Sequence, residues 1–374
     1  MEEGGAEKAG QAAAAAPLSG EGLGSRAATA DMATSADANA DTKARTLREW
    51  DIEPRPLGFK EVPWHADFGD WNAHINALDT ELGPNEYPRP AEFAQVVLDE
   101  TRRSGWPLGG TTAIGRTAKG WRRTGTKDLG KDLYAPVEQY AIHKADPWFA
   151  RVSYHDEEPP VRFRDLDFVL RKNHSYHEAQ YTPEIIEVNT VLNYEAELKD
   201  VDVEGWSDVS MEIVEMFHKL PAPLKKRVFT VLVISAIRTD LAPQGVLHDG
   251  DTIFAESVDV QLPIDLSSFP ASIKTLSHAD PKKFVQGVYA SVEKVAQVSK
   301  DHTGNDTGPP AVQTRWSMAT SSNAKGVLPM WIQNHAVPDA IAKDVKFVTD
   351  YLRENYGKEG WPEGPALDKA DAGK

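Results

Sequence analysis

The chain has 374 residues, 40% hydrophobic and 26% charged, enough for one large or two small domains. Its formal net charge of −16 excludes a nucleic-acid or anionic-surface binder working by bulk charge, because phosphate contacts need an excess of Lys and Arg. With no cysteine, disulfides, thiolate catalysis and Cys-based zinc sites are excluded as well.

Residues 1–48 are rich in Ala, Gly and Ser, with no aromatic residue before Trp50, and are expected to be disordered. No basic region followed by an apolar core stands there, and no apolar run reaches the ~20 residues of a membrane helix. A soluble, cytoplasmic, monomeric protein is expected. Residues 49–90, rich in Pro and Trp, form an extended lead-in packed on the domain. Within it Trp71, Ile75, Leu78 and Leu82 recur at helical spacing behind Asp70, an N-cap residue type.

A helix is predicted over Ala91 to Ser104, opened by Pro90 and closed by Gly105. Three strands follow as an antiparallel meander: Ala118 to Lys127, Ala135 to His143 and Trp148 to His155. Phe163, Leu166, Val169 and Leu170 set one helical stripe ending near His177. Trp206, Val209, Ile213 and Phe217 set a second. Ile185 to Tyr194, between them, reads as a strand or an extended connection. Strands return at Val228–Ile237, Thr252–Leu262, Phe284–Val295 and Val312–Thr320. Val337, Ile341, Val345, Val348 and Leu352 then form the apolar stripe of a final helix, with Pro338 in its first turn. Residues 357–374 read as a second disordered tail, despite Trp361.

This order describes a curved antiparallel sheet closed over one terminal helix. The strand at Val228–Ile237 is apolar on both faces, so both should be covered. The segment LPAPLKKRVFTVLVI (Leu220 to Ile234), then GVYASVEKV, WSMAT and GVLPMWIQNHAVPDAIAKDVKFVTDYL, resembles the START superfamily, the StAR-related lipid-transfer domains. HSYHEAQY, with His174, Ser175, Glu178 and Tyr181, is similar to an uncharacterised, mainly fungal START-like domain family. The resemblance runs from about Phe93 to Tyr356, within a START-like domain placed at 91–356. It implies an α+β helix-grip fold, a sheet wrapped around a long C-terminal helix with an apolar cavity between them. It also implies binding, and transfer, of a lipid or other hydrophobic small molecule, with transient membrane contact.

Cavity-lining candidates follow from strand and helix parity. Trp316 and Met318 point inward with Arg315 outward; Phe229 and Val231 share one face of their strand; Ile341, Val345 and Val348 lie on the helix stripe. One of Arg122 and Arg123 can project inward to meet a ligand oxygen. Glu256, in an apolar strand, can point inward only if its charge is paired. His174 and His177 are spaced i, i+3 with Glu178 outside the pair, which fits hydrogen bonding to nearby backbone better than a zinc site. His174 and Glu178 enter the lining set on that basis, and no metal or cofactor is predicted. Arg227 is read as bracing the turn after Pro223. The loops Thr239–Asp251 and Pro263–Lys282 are the expected lid. Two alternatives stand beside the carrier: a cyclase or aromatase on the same scaffold, and an interaction module whose cavity is filled by side chains.

Overall fold

Charge and hydropathy along the chain resolve into one large sheet with helices on both faces. The computed structural model describes residues 52–68, 89–103, 120–130, 133–142, 146–220, 224–242, 245–248, 251–299, 312–323, 330–358 and 360–361, all within one unit spanning 44–374. The expected disordered segment 1–48 and the helix from Trp71 to Leu82 lie outside the described residues.

In chain order the elements are α1 (Pro90–Arg103), β1 (Arg122–Lys127), β2 (Val137–Ile142), β3 (Trp148–Asp156), α2 (Phe163–Leu170), α3 (His174–Tyr181) and β4 (Ile185–Asn193). A short α4 (Glu195–Leu198), β5 (Trp206–His218), β6 (Lys226–Arg238), β7 (Val246–His248), β8 (Asp251–Pro263) and a short α5 (Ala271–Lys274) come next. The chain then runs through β9 (Phe284–Ser299), β10 (Val312–Asn323) and the terminal helix α6 (Met330–Asn355). The strands lie in the order β1-β2-β3-β10-β9-β8-β6-β5-β4, with β7 on β8. Pairing is antiparallel, except where the start of β6 meets the start of β9 in parallel.

Both faces of this sheet are apolar, as the doubly hydrophobic β6 demands. On one face Leu232, Ile234 and Ala236 join Ile213, Val260 and Val292 in a core. That core is closed by Phe93, Ala94, Val97 and Leu98 of α1 and by Leu57 and Val62 of the lead-in. On the other face Trp316 and Val295 meet Leu166, Val169 and Leu170 of α2 and Ala342, Val345, Val348 and Leu352 of α6. Fully burying each of these large apolar side chains is worth roughly 1.5–3 kcal/mol, so the helix stripe suffices to hold α6 on the sheet. The result is the helix-grip arrangement.

Five expectations change. Trp206 to Phe217 is strand β5, not a helix. The residues between its supposed stripe positions, Met211, Val214 and Met216, are buried too, and both faces carry core. The single helix predicted from Phe163 onward is two, broken where Asn173 adopts a left-handed conformation at φ 52°. The terminal helix begins at Met330, so Pro338 lies inside it, and Gln139 Nε2 donates to the Pro338 carbonyl at 2.7 Å. The side chain of Trp331 lies outside the described residues. Finally, segment 263–282 is no lid over the helix face. Its Phe269 and Ile273 are buried with Leu57 in the core of the opposite face, and Leu57 bridges Ile264. Trp361 is also ordered, packed against Phe168 and Tyr351.

One close approach is specific. A Cβ on Gly287 of β9 would overlap the Phe229 ring, which is itself flanked by Tyr289 at 5.3 Å and His218 at 5.2 Å. Gly287→Ala should therefore cost about 1–3 kcal/mol through overpacking. Thermal unfolding checks this: a domain of this size loses roughly 2–4 °C per kcal/mol, and an unchanged Tm would show that the ring is not confined.

Candidate functional site

The site begins with strand register. Met318 of β10 lies opposite Arg151 of β3 on one side and Glu293 of β9 on the other. Arg151 therefore reaches across the strand between them. Its Nη2 donates to Glu293 Oε1 at 2.8 Å, and that oxygen also accepts from Trp316 Nε1 at 2.7 Å. The guanidinium lies over the Trp316 ring, 4.0 Å from its centroid, a cation–π placement. Arg151 is 1% exposed, yet its Nε and Nη1 make no hydrogen bond. Two donors of a buried cation are thus left open.

Helix α3 supplies the second part. His174, Glu178 and Tyr181 stand at i, i+4 and i+7, one helical face. His174 donates from Nδ1 to the Leu170 carbonyl at 2.6 Å, and its Nε2 is 3.2 Å from Glu178 Oε2. The Gln261 amide lies within reach of His174 Nε2 (2.9 Å), Asp259 Oδ1 (3.3 Å) and the Tyr289 hydroxyl. Burial alone would lower the His174 pKa. The Asp259 and Glu178 carboxylates outweigh it and hold the pKa well above the usual imidazole range.

The acids divide. Burial pushes Asp259 up to about 7, against the pull of His174, and its Oδ2 has no hydrogen-bond partner. Asp344, on α6, is pushed up to about 8 by burial, with Arg151 opposing and Glu293, Glu178 and Glu184 adding to it. Burial, with Glu178 next, also holds the Tyr181 and Tyr289 hydroxyls well above their usual pKa, so both remain donors. Tyr181, Tyr289 and Asp344 lie deep in the fold, yet each keeps part of its accessible surface. These polar groups stand among the apolar side chains between the sheet, α3 and α6.

The structure brings many of the sequence candidates to this face. Trp316, Val345 and Val348 share a core with α2, Met318 and Ile341 meet beside Phe149, and Val231 packs with Val214 and Met216. Phe229 lies against Tyr289, and His174 and Glu178 stand in the charged cluster. Two candidates are elsewhere. Arg122 is exposed on the edge strand β1, and its neighbour Arg123 pairs with Glu138 at 2.9 Å. Glu256 is on the opposite face, 3.1 Å from Arg238 Nη1 and 3.9 Å from Lys294 Nζ, beneath α1. Burial would raise its pKa, but Lys294, Arg238 and Arg315 together lower it. Arg315, predicted to be exposed, is 3% exposed on that same face. Arg227 Nη1 donates to the Lys225 carbonyl at 2.5 Å.

Residues missed from sequence are Arg151, Asp259, Tyr289 and Asp344, whereas Glu293 stands out beside Glu256 as a carboxylate in an apolar strand and is found in an Arg pair. One signal was available: each interrupts an apolar run or stripe, and Asp344 falls three residues after Ile341 and four before Val348. A buried ionisable group at such a position marks either a pair or a site.

The raised acids set a pH dependence. The folded chain keeps the Asp344 proton at pH values where the unfolded chain has released it, so stability is lost as pH rises from about 4 towards 8. Asp344→Asn removes that loss. It should raise Tm at pH 8 by several degrees and change it little at pH 4, at roughly 2–4 °C per kcal/mol. An equal shift at both pH values would show that Asp344 does not titrate in this range.

Among solved structures the chain is similar to human STARD10, at 15% identity over 63% of this chain and 74% of that one, with a TM-score of 0.40. It is similar to human StAR-related lipid transfer protein 5, at 11% identity over 71% of this chain and 95% of that one, TM-score 0.37. A third is the STAR-related lipid transfer protein (fragment 25-204) from Xanthomonas axonopodis, at 13% identity over 63% and 99%, TM-score 0.37. No curated protein matches the chain. Residues 148–352, over half of the chain, match the model of the family described as protein of unknown function (DUF3074), and the chain belongs to that family.

Proposed function

We propose that this protein binds an apolar small molecule with a polar end, a lipid or lipid-like compound, in the space between its sheet and its terminal helix. One observation carries the reading: Tyr181, Tyr289 and Asp344 lie deep within the fold and stay partly accessible, as groups around a ligand space would. Apolar walls with a few convergent polar groups are what a small-molecule site requires. Met318 and Phe229, both partly accessible, supply the apolar part, and Tyr181, Tyr289 and Asp344 supply the polar part. A filled-core interaction module is the poorer reading for the same reason.

Transfer between membranes is the finer proposal, and the charge distribution supports a place of contact. In a chain of net charge −16, Lys219, Lys225, Lys226, Lys282 and Lys283 are all exposed at one end of the sheet. Register brings them together there, since His218 pairs with Arg227 and Lys226 with Phe284. Among the carboxylates nearby, Asp280 is 3.5 Å from Lys283. Each lysine near an anionic surface is worth about 1 kcal/mol, so Lys225→Glu with Lys226→Glu should reduce binding to phosphatidylserine-containing vesicles by ten-fold or more. Vesicle flotation reads this, and binding unaffected by the charge reversal would rule that face out.

The direct test of ligand binding is gentle purification of the full-length chain, native mass spectrometry, and organic extraction of anything retained. A stoichiometric amphiphile is expected. An empty protein that also takes up no fluorescent fatty acid or sterol analogue would count against the reading. The cyclase alternative keeps one observation, a proton held on Asp344 beside the space. It requires turnover that Asp344→Asn abolishes while binding persists.

A further inference from the structure

Beyond the terminal helix the backbone turns twice. Lys358 N donates to the Asn355 carbonyl at 3.0 Å, and Trp361 N donates to the Lys358 carbonyl at 3.1 Å. Both turns run through glycines in the left-handed region, Gly357 at φ 80° and Gly360 at φ 81°. A Cβ at either position would meet nothing within 4 Å, so glycine serves the backbone angle alone. The turns carry the Trp361 indole back onto the helices. Its ring stands edge-on to Phe168 of α2 at 5.3 Å, His177 of α3 at 6.1 Å and Tyr351 of α6 at 5.6 Å. One side chain joins α2, α3 and α6. Beneath it His177 Nδ1 lies 3.1 Å from the Tyr351 hydroxyl, and the Tyr351 ring meets Tyr181 at 5.9 Å. Two ring contacts therefore lead from Trp361 to Tyr181.

Resting on the reading that a ligand occupies the space beside Tyr181, we propose that Trp361 is a latch over the entrance to it. Seated, the indole covers the seam between α3 and α6; swung out on Gly357 and Gly360, it uncovers that seam and frees the Tyr351 ring to leave Tyr181. The seat is built to be left. The indole Nε1–H is buried with no hydrogen-bond partner among the described residues, and this unmade bond offsets part of what ring burial contributes. Water satisfies the same N–H once the ring is out. The surroundings stay in place meanwhile. His174 and Ser175 hold α3 to Gln261 and Glu212 of the sheet. Arg162 Nη2 donates to the Tyr356 hydroxyl at 3.2 Å, which fixes the end of α6 ahead of both glycines. What is left to move is the segment after Tyr356.

The test is stopped-flow uptake and release of two fluorescent probes, NBD-stearate and NBD-cholesterol, by the full-length chain. Trp361→Ala should raise the association and dissociation rates together, by about tenfold, as the ring contacts are lost. The Kd should stay nearly unchanged, because a gate alters the barrier and not the bound state, and this also shows that the variant is folded. Trp361→Phe keeps a ring in the seat and should hold both rates near those of the unsubstituted chain. Gly360→Ala adds a methyl group that touches nothing, yet it should raise both rates several-fold by disfavouring the turn that seats the ring. Should Trp361→Ala fail to fold, Gly360→Ala decides alone. A rise in dissociation only would make Trp361 a ligand contact, and unchanged rates would make it a structural plug. Either result overturns the latch and leaves the ligand reading standing. Uptake of neither probe by the unsubstituted chain would strike the ligand reading, and the latch with it.

Discussion

A single buried ion pair sets the geometry of the helix-facing side. Arg151 and Glu293 stand on the two strands flanking β10, directly across from Met318, and they close over that strand at 2.8 Å. Such a pair is costly to desolvate, and each further partner offsets part of that cost. Trp316 meets one of them with its indole N–H and covers the guanidinium with its ring. Three neighbouring strands are thereby fixed in register, and the ring that caps the pair is the same ring on which the terminal helix packs. The polar centre of the site and the seat of the helix are therefore one structure.

Comparison of the two faces shows which charges are structural. Glu293 and Lys294 are consecutive on β9 and point to opposite sides. On the α1 side, Lys294 donates to the Thr101 carbonyl at 2.8 Å and approaches Glu256, which also receives Arg238. Cations outnumber the carboxylate there, its pKa is lowered, and the network ties α1 to the sheet. On the α6 side the balance is reversed: carboxyl groups are in excess, two have raised pKa values, and donors on Arg151 are unused. The two faces thus carry opposite charge balances, cationic beneath α1 and acidic beneath α6.

Much of this was legible in the sequence. The doubly apolar β6, the strand at Val312, the +4, +4, +3, +4 stripe from Val337 and the order of elements all follow from side-chain periodicity, which reports burial directly. β5 was not legible as a strand. Ser207 to Ser210 is a bulge, with Asp208 at φ 54°, and the added residue turns a strand spacing into the three-residue step of Trp206 to Val209. Parity also failed to separate faces for Glu256. Its companions Val258 and Val260 are as buried as the inward set, because both sides of this sheet are core. The charged cluster could not be assembled from sequence for another reason. Arg151, Asp259, Glu293 and Asp344 come from four elements spread over the whole domain, and only the register of β3, β9 and β10 brings the first and third together.

The division of the cluster between layers has a mechanical consequence. Arg151, Glu293 and Asp259 are fixed to the sheet, whereas Glu178 and Asp344 ride on α3 and α6. Among the described residues, what binds those helices to each other is largely aromatic: His177 meets the Tyr351 hydroxyl at 3.1 Å, and Trp361 covers Phe168, His177 and Tyr351. Polar contacts tie α3 to the sheet as well: His174 lies 2.9 Å from the Gln261 amide on β8, and Ser175 donates to Glu212 on β5 at 3.0 Å. The terminal helix is likewise tied to the first two strands by charge as well as by its apolar stripe, since Lys127 on β1 holds Asp339 at 2.9 Å and Gln139 on β2 donates to the Pro338 carbonyl at 2.7 Å.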